Sequence, residues 1–150
     1  MVGGWRIVDR GVYWNGDAPW TYRTPVPLRP GLSGHVELIV TDDDTSLVFH
    51  SGDVPVLATP RVIALCEEAS ILALENELAP DDTTVGMQVH IDHLAPTAVG
   101  SRVRAEAKVE AVKGRRVVFT VSARDDRGLV AAGRVTRVVV NRERFLDKAD

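Results

Sequence analysis

Three side chains in this sequence are of types that could perform acid–base or nucleophilic chemistry together. Glu67 interrupts an apolar stretch, His93 ends an alternating segment, and Thr59 stands directly before a proline. Carboxylates and imidazoles are common general bases and nucleophiles, and a hydroxyl can orient or polarise a substrate. Whether the three can act together depends on the elements that carry them.

Glu67 lies on the one long helix that the sequence predicts. We expect this helix to begin at Thr59, whose hydroxyl would act as the N-cap, and to end at Leu78. At helical spacing Glu67 falls in the same row as Ile63 and Ile71. A carboxylate on an apolar row costs several kcal/mol unless it is paired. Two interpretations stay open: a paired structural or interface acid, or a general base or nucleophile.

His93 lies at the end of a predicted strand over residues 83–93. Strand alternation puts it on the apolar face with Val89 and Ile91, and puts His90 and Asp92 on the opposite, solvated face. His93 is therefore either a histidine at the edge of the core, bonded to backbone, or a catalytic imidazole. Because it cannot converge with His90 and Asp92, we expect no metal site.

The rest of the pattern predicts a sheet around the helix. Period-two alternation of apolar and charged residues is clearest over residues 101–112, and the segment 129–140 is apolar on both faces, which favours a central or interface strand. Further strands are predicted at 34–40, 46–49, 83–93 and 116–124. The predicted fold is α+β, one long helix wrapped by a curved antiparallel sheet of about five to six strands.

Composition limits the function classes. The chain has 150 residues, of which 45% are hydrophobic, enough for one domain with its own core. A formal charge of −3 leaves no basic surface for nucleic acid, and no apolar run reaches the roughly 20 residues that span a membrane. One cysteine, Cys66, excludes an intrachain disulfide framework. We expect a cytoplasmic protein that binds neither nucleic acid nor membranes.

The N-terminal segment differs from the rest of the chain. All three Trp and both Tyr lie at or before Tyr22, and four prolines fall between residues 19 and 30. Closely spaced prolines cannot sustain a helix. We predict an arm over residues 1–33 that packs on the following domain, residues 34–150, or on a second copy of it.

Taken in order, the spacings resemble those of a known family. Thr59 and Glu67 are eight residues apart, Gly86 and His93 are seven apart, and the segment 133–137 ends in Arg137. This set, from about residue 34 to 145, resembles the hot-dog fold thioesterases, in particular the fluoroacetyl-CoA thioesterase branch.

The resemblance implies roles for these residues. Glu67 would be the catalytic carboxylate, His93 its partner and Thr59 an orienting hydroxyl. Gly86 would let the backbone approach the thioester, and Arg137 would contact the pantetheine or phosphate region. It implies hydrolysis of a small acyl-CoA by a homodimer with its site at the interface, and no cofactor, because CoA enters as part of the substrate.

The sequence departs from the family at two places, and two other functions are compatible with the fold. Val135 replaces the family's histidine, and no aromatic residue lies between Phe49 and Phe119, so fluoroacetyl specificity is not predicted. The Asp-x-Asn-x-x-His pattern expected of a hot-dog hydratase is missing. The main alternative is a non-catalytic module that binds an acyl-CoA or another small ligand without turnover.

Overall fold

A computed structural model describes residues 27–149 of the chain, so most of the predicted arm lies outside the described residues. Five antiparallel strands form one sheet in the order β1-β3-β4-β5-β2, with one long helix, α2, on one face. The predicted α+β architecture is confirmed. The elements are β1 (Ser33–Ile39), α1 (Ser46–Phe49), α2 (Thr59–Ala73), β2 (Asp82–His93), β3 (Arg102–Lys113), β4 (Arg116–Asp125), β5 (Gly128–Asn141) and α3 (Arg142–Leu146).

Strand alternation builds the core. On β3 and β4, every second residue is buried against α2, and the residues between them carry charged or polar side chains on the outer face. Strand β5 lies inside the sheet between β4 and β2, as its two apolar faces predicted. The buried strand residues of β3 and β4 are Val103, Ala105, Ala107, Val109, Val117, Phe119, Val121 and Ala123.

The predicted strand at 46–49 is wrong, because this segment is the short helix α1. It follows a single 3-10 turn, Asp42–Asp44, in which Thr41 and Asp44 form a reciprocal capping box. Three apolar residues, Leu47 to Phe49, are too few to show either a helical or a strand period, so local capping decides their conformation.

Helix α2 differs from its prediction at both ends. Ala58 occupies the N-cap position without a side-chain hydrogen bond, so the predicted N-cap role of Thr59 is wrong. The helix ends at Ala73 rather than Leu78, and Asn76 takes a left-handed conformation with φ of 66°.

The sheet covers only part of α2. The helix packs mainly on β1 and β3, and Gly34 of β1 lies so close that a Cβ there would overlap the helix backbone at Ala69 and Ala73. Ile71 is 50% exposed and Leu72 is also exposed. Residues 27–149 therefore leave part of the helix surface uncovered.

Strand β2 carries a β-bulge. Gly86 pairs with Arg137 and Gln88 pairs with Thr136, which leaves Met87 as an extra residue. Gly86 and His93 are an odd number of residues apart, so regular alternation would put them on opposite faces. The bulge turns both toward α2.

Among residues 27–149, no helix is long and apolar enough to cross a bilayer.

Candidate active site

Thr59 and His93 meet at one end of the molecule. Thr59 is the first residue of α2 and His93 the last residue of β2, and the Thr59 hydroxyl is hydrogen-bonded to His93 Nδ1 at 2.8 Å. The hydroxyl is available for this bond because Ala58, rather than Thr59, occupies the N-cap position. Two of the three candidate residues, Thr59 and His93, are thus in direct contact.

The surroundings of His93 keep its imidazole neutral. Burial lowers the pKa of His93 below its ordinary value of 6.5, and the nearby backbone of Ala95 only partly opposes this. Its Nε2 is buried and has no hydrogen-bond partner among the described residues. A neutral imidazole with one nitrogen held by Thr59 and the other unengaged can bind a water or a substrate group and exchange a proton with it.

Glu67 is held by a buried arginine. Arg137 is 4% exposed and donates from Nη1 to Glu67 Oε2 at 2.6 Å. Its Nε donates to the Thr84 hydroxyl at 2.9 Å, and its Nη2 donates to the Thr84 carbonyl at 2.9 Å. The pairing explains how a carboxylate is tolerated on an apolar helix row.

This geometry favours a different role for Arg137 from the phosphate contact that the resemblance implied. With its donors turned inward to Glu67 and Thr84, the guanidinium orients the carboxylate. The sequence did not single out Thr84, because its contact with Arg137 depends on the register of β2 against β5. Thr84 is buried, and that unusual setting for a polar residue follows from the bulged pairing.

Gly86 makes room for the same carboxylate. A Cβ at this position would overlap Glu67 Oε2 and would lie 3.6 Å from Arg137 Nη1. The resemblance implied that Gly86 lets the backbone approach a thioester. In the structure, the neighbour that needs the space is the side chain of Glu67.

The two groups of residues are separated within one chain. Eight residues of helix place Thr59 about 12 Å from Glu67 along the axis. Within the part of the chain that is described, no hydrogen bond or ion pair joins Glu67 to His93. Between the two groups, β2 presents an edge with which no strand of residues 27–149 pairs, and Met87 on it is 47% exposed. One chain thus holds two half-sites along an open strand edge.

The opposite face of the sheet carries different polar residues. A groove of about 410 Å³ is lined by Gln88, His90, Asp92 and Arg134, among others, and lies across the sheet from His93. His90 and Asp92 are exposed there, as predicted. In residues 27–149, no group of three or more His, Cys, Asp or Glu side chains is placed to hold a metal ion.

Comparisons with known proteins identify the family of the chain. The model of the family described as fluoroacetyl-CoA-specific thioesterase matches residues 40–143. A fluoroacetyl-CoA thioesterase from Streptantibioticus cattleyicolor is 32% identical over 90 residues, which is 60% of this chain. The match spans 65% of that relative, just under two thirds of its length.

Solved structures agree over a longer part of the chain. A structure of a fluoroacetyl-CoA thioesterase superposes with a TM-score of 0.76 at 26% identity, covering 81% of this chain and 95% of that one. A variant of such an enzyme, in complex with fluoroacetate and CoA, gives 0.73 at 27% identity and covers 79% and 99%. A thioesterase superfamily member from Thermus thermophilus gives 0.74 at 27% identity and covers 82% and 91%.

Proposed function

The chain belongs to the fluoroacetyl-CoA-specific thioesterase family, as predicted, and we propose that it hydrolyses a small acyl-CoA thioester to the free acid and CoA. The observation that carries the proposal is the fixed geometry of its polar groups. Thr59 holds His93, and Arg137 holds Glu67, on the face of β2 that is turned toward α2.

The proposed reaction adds water across the thioester. Arg137 engages Glu67 Oε2, so Oε1 can take a proton from water or attack the carbonyl to give a mixed anhydride. In both routes the carbon–sulfur bond breaks, the CoA thiol is released with a proton, and one water is consumed. His93, oriented by Thr59, supplies the second proton-transfer group. Backbone amides at the start of α2 stabilise the oxyanion.

We propose that the chain acts as a homodimer in which each site is shared. Within the described part of the chain, strand β2 has a free edge, and Met87 and Val89 on it are exposed. Antiparallel pairing of this edge with a second copy, about an axis near Val89, brings Gly86 close to His93 of the partner subunit. Glu67 lies against Gly86, so the pairing brings the two half-sites together.

The acyl group is proposed to be small, without commitment to the fluoroacetyl group. The loop between α1 and α2 carries the exposed Asp53 and contains no aromatic residue. We propose that no cofactor is required, since Glu67, His93 and water suffice for the reaction. A cytoplasmic location is proposed because the single thiol, Cys66, is free and buried.

The first test is a CoA-release assay over short and aromatic acyl-CoAs. We expect Glu67→Gln to lower kcat/KM by at least about 100-fold and His93→Asn to have a comparable effect, since each removes a proton-transfer group. Glu68→Gln, the exposed neighbour on α2, is the matched control and should retain full activity. Full activity in Glu67→Gln would rule out the proposed role of this carboxylate.

The second test asks whether the site is shared. Glu67→Gln and His93→Asn chains are unfolded together and refolded as a mixture. In a mixed dimer, one of the two sites receives an intact Glu67 and an intact His93. Random pairing therefore restores about a quarter of wild-type activity. No recovery, with mixed dimers detected by mass, would place each site within one subunit.

A further inference from the structure

Asp44 is a buried carboxylate in front of α2 that the reaction does not use. Its Oδ1 accepts a hydrogen bond from Arg61 Nε at 2.8 Å, and its Oδ2 accepts from the Thr41 amide at 2.8 Å and the Thr41 hydroxyl at 3.1 Å. Burial alone would raise the pKa of Asp44, but these hydrogen bonds and the Arg61 charge outweigh it, so the pKa lies below its ordinary value.

The contacts of Asp44 lie on both sides of Thr59. Its backbone carbonyl accepts a hydrogen bond from the Ala58 amide at 2.9 Å, and its side chain binds Arg61, two residues beyond Thr59. Thr59 is therefore enclosed between two residues that Asp44 holds. The helix start has no capping side chain of its own, so this link fixes its position.

A second set of contacts ties the same region to the end of β2. Leu57 donates its amide to the Thr97 carbonyl at 2.9 Å, and Val56 forms a β-bridge with Ala98. Thr97 lies four residues beyond His93 and is fully buried. The chain before Thr59 and the chain after His93 are thus joined, with Asp44 anchoring the helix side.

We propose that Asp44 and Arg61 are positioning residues that hold the Thr59 hydroxyl against His93 Nδ1. Neither touches His93, so both act through Thr59. Loss of the Asp44–Arg61 bond frees the first turn of α2 to shift, and a hydrogen bond of 2.8 Å does not survive a displacement of about 1 Å. The expected effect of Asp44 and Arg61 on turnover rests on the proposed function. Their effect on the position of the His93 imidazole can be measured without turnover.

The experiment measures His93 directly in the full-length protein. The ring ¹⁵N shifts of Asp44→Asn and Arg61→Gln are compared with wild type, and the His93 signals are assigned by their loss in His93→Asn. We expect Nδ1 to shift and the titration midpoint of the ring to rise toward 6.5 as the site opens. The double variant should match either single variant, because both break one link.

In the CoA-release assay, both variants should lower kcat about tenfold and change KM less than about twofold, as expected when a group that orients the catalytic imidazole is misplaced. Arg61→Lys, which keeps the charge near Asp44, should recover part of the loss. The matched control is Glu110→Gln, which breaks the exposed ion pair with Arg134 at 2.9 Å and should leave both His93 and kcat unchanged.

If the ring ¹⁵N chemical shifts of His93 in a folded Asp44→Asn or Arg61→Gln protein equal those of the wild type, the inference is overturned. If Asp44→Asn does not fold, Arg61→Gln decides alone, because the Arg61 side chain is partly exposed and Asp44 keeps its two hydrogen bonds from Thr41 in that variant. If the wild type hydrolyses no CoA ester, the proposed function fails, and the His93 shifts still decide whether Asp44 and Arg61 position the ring.

Discussion

Replacing Gly86 by alanine should remove activity without unfolding the protein. The residue has no positive φ, so its backbone accepts alanine without strain. The added Cβ would overlap Glu67 Oε2, and one of the two groups must move. Arg137 cannot follow, because it is buried and bonded twice to Thr84. The carboxylate therefore moves by roughly 1 Å, and its 2.6 Å hydrogen bond to Arg137 lengthens.

The size of the effect follows from this displacement. A misplacement of about 1 Å can reduce catalysis about 100-fold, so we expect kcat/KM in the CoA-release assay to fall by 10- to 100-fold. The cost in folding free energy should be only about 1 kcal/mol, because the partly exposed carboxylate regains hydration. The thermal transition measured by circular dichroism should remain cooperative.

A control variant separates this mechanism from general strain. In a Glu67→Ala background there is no carboxylate for the Cβ to displace. Gly86→Ala should then leave the free energy of unfolding unchanged or raise it slightly, because alanine restricts the unfolded chain. If Gly86→Ala alone kept wild-type kcat/KM, Glu67 would not be needed where the structure places it, and the reasoning would be refuted.

Three further predictions concern buried groups. The pKa of His93 is lower in the folded chain than its ordinary value of 6.5, so the unfolded chain binds the proton first as the pH decreases. The free energy of unfolding should therefore fall between pH 6.5 and the pKa of the folded chain. Denaturant titrations of His93→Asn should lack this pH-dependent component. Arg137→Met should lower the free energy of unfolding, measured in urea, by about 3 kcal/mol, because it leaves Glu67 and Thr84 without their partner. A decrease of less than about 1 kcal/mol would contradict the buried pairing. Burial, followed by the Glu67 charge, raises the pKa of Cys66 to about 11, so a thiol reagent at pH 8 should modify it only at the rate of unfolding; immediate labelling of the native protein would be inconsistent with its burial.

The sequence predicted the strands well, because most of them alternate strictly between a dry and a wet face. The error at 46–49 arose where three apolar residues gave no period and the preceding acidic turn determined the conformation. The predicted helix end at Leu78 was five residues too late, because apolar residues continue past Ala73 in the turns that follow. Hydrophobic spacing marks which residues are buried, whereas a helix end depends on backbone capping.

For the candidate site, the sequence identified the participants but not all of their contacts. Glu67 and His93 stood out because a carboxylate on an apolar row and a histidine on an apolar strand face each need a partner. The partners are Arg137 and Thr59, and they depend on cross-strand register and on which residue caps α2. Alternation alone would have put Gly86 on the wrong face, because the bulge at Met87 leaves no clear signal in a single sequence.

The bulge at Met87 also constrains which sequence changes this strand can accept. An odd separation plus one unpaired residue gives an even phase, so Gly86 and His93 face the same side because Met87 stays out of the ladder with β5. Deleting Met87 would restore a regular ladder and leave Gly86 and His93 six residues apart, on one face and still opposite Arg137 and Ala131. A one-residue insertion that joined the ladder would turn them to opposite faces. The number of paired residues between Gly86 and His93, rather than their identity, is therefore the property of this segment that functional relatives should share.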